Sequence, residues 1–135
     1  MITCRDDIRP DLAQARDLYR ACTLGARRPI DDDARFAMML ARANLIVTAW
    51  DDALLVGIAR VLSDFSYVTY LSDLAVRVSH QHQGIGRKLI RRTRDAAPEA
   101  NLVLLAAPAA ERYYPHLGFH HHPQAWMLRP VEELA

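Results

Sequence analysis

Gln81-His82-Gln83-Gly84-Ile85-Gly86-Arg87-Lys88-Leu89-Ile90 decides the fold, because it is a Gln-x-x-Gly-x-Gly turn set between a strand-like run and a helix-like run. Upstream, residues 67–76 are rich in the aromatic and β-branched types that suit a pleated, partly buried strand. Downstream, Leu89, Ile90, Thr93, Ala96 and Ala97 recur at helical spacing, with Arg87, Lys88, Arg91, Arg92 and Arg94 on the other side. Glycines at 84 and 86 let the backbone turn sharply and approach an oxyanion closely. The unpaired N–H groups and the dipole of the helix start then hold the negative charge. The loop reads as a pyrophosphate cradle and its ligand as a phosphate ester.

The composition frames that reading. A chain of 135 residues is expected to form one domain, residues 1–135, with a single core. It is 51% hydrophobic and 24% charged with a net charge of +1, which argues against disorder and against a nucleic-acid partner. No secretory leader is expected, and no apolar run reaches the ~20 residues of a membrane span. With Cys4 in an expected strand and Cys22 at the end of an expected helix, the simplest compartment is the cytoplasm.

Further elements follow from local patterns. Residues 1–5 form a first strand, and Pro10 heads a helix with early acids. Asp31-Asp32-Asp33 caps a second helix, and its charge would favour a cationic acceptor if it bordered a site. Residues 44–50 and 53–62 flank Asp51-Asp52 as a hairpin, and residues 67–76 add a third antiparallel strand. After the motif helix come an apolar strand at 102–105, a helix opened by Pro108, and a last strand pair over 119–128 interrupted near Pro123. The expected order is β-α-α-β-β-β-α-β-α-β-β. This is an α/β (α+β) fold with a mixed, mostly antiparallel sheet and helices on both faces.

Two familiar phosphate loops are excluded. A dinucleotide fingerprint needs a third small residue where Leu89 stands, and a P-loop needs Gly-Lys-Ser/Thr where Gly86-Arg87-Lys88-Leu89 is found. What remains resembles motif A of the GNAT (GCN5-related) N-acetyltransferase superfamily, in which Gln/Arg-x-x-Gly-x-Gly/Ala binds acyl-coenzyme A. Leu74-Ala75-Val76 is similar to the strand that pairs with the pantetheine arm. Residues 110–119, ending in Tyr113-Tyr114-Pro115-His116-Leu117-Gly118-Phe119, resemble the family's Phe-Tyr-x-x-x-Gly-Phe element.

The resemblance implies the GNAT fold and an acetyl-CoA-dependent N-acetyltransferase acting by direct attack of a small-molecule or peptide amine. It implies cofactor contacts from Leu74, Ala75, Val76, Gln81, His82, Gln83, Gly84, Ile85, Gly86, Arg87 and Lys88. The Val76 backbone N–H would polarise the thioester carbonyl, and Tyr114 would be the general acid, with Tyr113 packing in the place of the family's Phe. Related polyamine-type enzymes carry Glu where this chain has Ser72, so Asp73 is the candidate base. A structural Asp73, with ordered water removing the proton, is the other reading. Strand alternation would send Asp73 to the face opposite Ser72 unless a β-bulge intervenes. Ala107 replaces a pantetheine-contacting Asn of many relatives.

His80, His82 and His120-His121-His122 lack a matching carboxylate or Cys partner at ligand spacing, so no metal is expected. Exposed strands near Trp50 or in the final hairpin would allow a homodimer. A weak acyl-CoA-binding or sensor module and a protein-interaction domain are the alternatives to the enzyme.

Overall fold

Helix caps and strand periodicities that the sequence announces locally are built as expected over most of the chain. The computed structural model describes residues 1–135, which divide into two compact units, Met1–Leu105 and Ala106–Ala135. The first unit contains β1 (Ile2–Arg5), α1 (Leu12–Arg20), α2 (Asp33–Arg42), β2 (Leu45–Asp51), β3 (Leu54–Ser63), β4 (Val68–Val76), α3 (Ile85–Ala96) and β5 (Asn101–Val103). Asp11 caps α1 through a reciprocal box with Gln14, and Asp32 caps α2 by accepting from the Arg35 N–H at 3.1 Å.

The sheet order is β1-β2-β3-β4-β5, antiparallel throughout except for the parallel β4–β5 pair. A parallel pair needs a crossover, and α3 supplies it. Leu18 and Tyr19 of α1 and Phe36 and Leu40 of α2 form one core cluster with Ile46, Ile58 and Ala75 of the sheet. Ile85 and Leu89 of α3 reach Gly57 of β3, where a Cβ would lie 3.1 Å from Ile85 Cγ2 and 3.0 Å from Leu89 Cδ1. Glycine here lets α3 settle this close without Leu89 or Ile85 having to shift.

The register slips between β3 and β4. Arg60 pairs with Asp73 and Val61 with Leu71, so Ser72 is an extra residue on β4. Such a bulge breaks the alternation of side chains.

One expectation is refined and one corrected. Trp50 lies on β2 between β1 and β3, so the edge strand near it is β1, whose Thr3 pairs with Trp50. Residues 119–128 form no strand: three histidines precede Pro123, which cannot donate to a ladder, and Trp126 is 92% exposed with no buried alternation beside it. The final hairpin is thereby lost as a place for pairing with a second copy, whereas β1 remains an outer edge of the sheet. The second unit carries instead a 3-10 turn at Pro108–Ala110 and a short helix, α4 (Tyr113–His116), in place of one continuous helix.

Candidate active site

Alternation along β4 assigns its backbone groups to two sides. The Arg77 N–H donates to Val56 O of β3 at 2.8 Å, so the Val76 and Leu74 N–H groups face away from β3, toward β5. There the ladder with β5 is short: it pairs Val68, Thr69 and Tyr70 with Asn101, Leu102 and Val103, and stops. From Leu71 to Val76 the edge is open over about 20 Å. Unpaired strand backbone is a template for another extended chain.

That edge runs into the start of α3. Gly84 is the N-cap, in the left-handed conformation at φ 81°, and no side chain caps the helix. The first intrahelical bond is Lys88 N–H to Gly84 O at 3.1 Å, so the N–H groups of Ile85, Gly86 and Arg87 have no partner within the helix. A Cβ on Gly84 would meet nothing within 4 Å, and residues 81–84 are exposed, as are Arg87 and Lys88. Ile85 and Gly86 themselves are buried beneath this exposed rim, and an uncapped helix start with cationic flanks suits an anionic phosphate group. The loop before it is anchored: Gln81 Nε2 donates to Val76 O at 3.0 Å, and His80 Nε2 donates to Asp51 Oδ2 at 2.9 Å. His82 takes a positive φ of 63°. No group of three or more His, Cys, Asp or Glu side chains is gathered as a metal site.

A substitution tests the cradle. Gly84→Val forces a β-branched residue into a left-handed conformation and fills the open space over the helix start, at a backbone cost of about 1–2 kcal/mol. Calorimetry should show acetyl-CoA affinity falling roughly tenfold or more. Unchanged affinity would remove the loop from the ligand site.

The bulge brings Ser72 and Asp73 to one side, against α1 and the loop before α2. Asp73 is 1% exposed and saturated: Oδ2 accepts from Tyr19 Oη (2.7 Å) and Arg60 Nε (2.5 Å), and Oδ1 from Arg28 Nε (2.6 Å) and Ser72 Oγ (3.3 Å). Arg60 Nη2 also donates to Ser72 Oγ at 2.7 Å. Burial pushes the Asp73 carboxyl up, but the hydrogen bond and charge of Arg60, with Tyr19 and Arg28, outweigh it and hold it below the ordinary carboxylate value. The Tyr19 phenol is pushed up, first by burial and then by the Asp73 charge. A carboxylate so engaged is a poor base, and its place is that of an anchor for two guanidinium groups. Sequence reading missed both partners, although Arg60 stands as a lone charge in an apolar strand, a pattern that requires pairing.

In the second unit, Tyr114 is half-buried and stacks edge-on with Phe119, ring centroids 5.4 Å apart, and with Tyr113 at 5.3 Å. Its phenol is raised above the ordinary value, chiefly by burial and secondarily by Tyr113, and so stays protonated at neutral pH. Gly118 turns the chain with φ 93° after α4. Phe119 N–H returns to Tyr114 O at 3.1 Å.

An open strand edge beside an uncapped helix start suits an extended ligand that ends in a phosphate group. Residues 27–126 match the family model described as an acetyltransferase (GNAT) domain, and the chain belongs to the GNAT acetyltransferase family. No curated protein matches the chain in sequence. Among solved structures it is similar to a GNAT-family acetyltransferase of Streptococcus pneumoniae, with 25% identity and a TM-score of 0.74 over 96% of this chain and 99% of that one. An aminoglycoside N-acetyltransferase in complex with CoA shares the fold at 18% identity, with a TM-score of 0.74 over 97% of this chain and 95% of that one. A Pyrococcus horikoshii protein does so at 18% identity, with a TM-score of 0.71 over 93% of each chain.

Proposed function

We propose that this chain transfers an acetyl group from acetyl-CoA to a primary amine by direct attack of the amine on the thioester. The observation that carries the reading is the presence of two sets of unpaired backbone donors, Leu74 and Val76 on the open edge of β4 and Ile85 to Arg87 at the start of α3. Residues 81–88 hold the pyrophosphate, and Leu74, Ala75 and Val76 form the stretch along which the pantetheine arm extends. The CoA complex of the aminoglycoside-acetylating fold neighbour supports this choice of donor.

The Val76 N–H is assigned to the thioester oxygen, where negative charge develops as the amine adds. An alkyl amine of pKa near 10 must first lose its proton, which costs about 4 kcal/mol at pH 7. Asp73, committed to Arg60 and Arg28, takes that proton poorly, so ordered water carries it away. As the C–N bond forms and the C–S bond breaks, the departing thiolate needs a proton, and Tyr114 is assigned as its donor.

The test is calorimetry with acetyl-CoA followed by a thiol-release screen over primary amines. Binding with amine-dependent thiol release is the expected result. Binding without turnover on any amine would leave an acyl-CoA-binding module. No binding would reduce the glycine loop to a turn.

A further inference from the structure

Resting on that reading, we infer that the acceptor carries an anionic group next to its amine, a carboxylate as in an amino acid, and that Arg28 recognises it. Arg28 belongs to the loop between α1 and α2, and its Nη2 donates to Ser72 O at 3.1 Å. That places a guanidinium at the end of the open β4 edge remote from the cradle.

The charge there is positive. Arg28 and Arg60 bring two positive charges to the single negative charge of Asp73, giving the cluster a net +1. Arg60 is spent inside, with its side chain 10% exposed, whereas that of Arg28 is 24% exposed. Arg28 has five N–H donors, and three acceptors are filled: Asp73 Oδ1, Arg27 O and Ser72 O. The remaining two serve an outside acceptor, and a planar guanidinium fork suits a carboxylate.

The acids that would have favoured a cationic acceptor are occupied. Asp31 pairs with Arg20, Asp33 pairs with Arg16, and Asp32 caps α2. A polycationic amine therefore meets the positive Arg28–Arg60–Asp73 cluster, while Asp31 and Asp33 are already in ion pairs and Asp32 is engaged as a helix cap. A positive charge beside the acceptor amine also lowers the amine's pKa, which eases the deprotonation that the reaction requires.

The test uses matched acceptors on the wild-type chain: α-amino acids, the amides of the same amino acids, and the amines left when the carboxylate is removed. The expected result is a kcat/KM roughly 10–100-fold higher for the carboxylate-bearing member, the range of one charge-assisted hydrogen bond, expressed mainly in KM. Arg28→Gln should narrow the ratio between members of a pair to within about threefold, and Arg28→Lys should restore part of it. Since each ratio is taken within one variant, a general loss of fold does not mimic it. A wild-type preference for the carboxylate-free or polycationic amine, or an undiminished ratio in Arg28→Gln, overturns the inference while acetyl-CoA turnover stands. Absence of acetyl-CoA binding by calorimetry overturns the transferase reading, and this inference with it.

Discussion

Tyr114→Phe is expected to lower turnover by roughly 10²–10⁴-fold, the usual worth of a general acid, and to leave acetyl-CoA affinity nearly unchanged. The substitution keeps the ring and its edge-on contacts with Phe119 and Tyr113, so packing of the second unit is preserved and one proton donor is lost. Loss of turnover at constant cofactor affinity identifies an interaction made in the transition state. The phenol is raised by burial, so the acid form persists through neutral pH and falls away only at strongly alkaline pH. Single-turnover rates with the best acceptor, alongside calorimetry, separate the outcomes. A fully active Tyr114→Phe enzyme would rule the acid out, and a large loss confined to Tyr113→Phe would transfer the role to its neighbour.

Asp73→Ala should cost about 3–5 kcal/mol of stability, because it strands the buried Arg60 guanidinium and the Tyr19 hydroxyl without their acceptor. In a unit of this size that is a fall in Tm on the order of 10 °C or more. Asp31→Ala, which breaks an exposed pair with Arg20, should cost at most about 1 kcal/mol and is the control. The folded Asp73 carboxyl titrates below its unfolded value of about 3.9. Its stabilisation is therefore complete above that pH and is lost as pH falls through the lower folded value. Thermal melts between pH 7 and pH 2 should show this acid limb, and Asp73→Asn should flatten it. A variant that melts like the wild type yet loses turnover would instead make Asp73 the base.

The parts of the site that lie within one segment were readable in the sequence. The strand, the two glycines and the helix of residues 67–96 follow one another without interruption, and local propensity agrees with the tertiary arrangement there. The bulge at Ser72 has no local signature, since it exists only in the pairing of β4 with β3. The same holds for the partners of Asp73: Arg60 is 13 positions away and Arg28 is 45. A lone charge in an apolar strand announces that some partner exists without saying which. Beyond Phe119 the expected strand pair does not form, and Trp126, Met127 and Leu128 are all exposed.

Gly57 is a reminder that a binding loop does not carry its own altitude. The Gln-x-x-Gly-x-Gly turn could be transplanted into another sheet, yet the height at which its donors stand above the strand edge is fixed by how deeply α3 beds into β3. That depth depends on one missing methyl group, 27 positions upstream of Gly84, whose nearest neighbours would be Ile85, Leu89 and Ala49. Gly57→Ala would lift the helix by a few tenths of an ångström or force its leucine aside, and in a close-packed interior neither adjustment stays local. A lineage tuning the grip on its carrier thus has a calibration screw in the floor of the molecule, out of reach of any ligand.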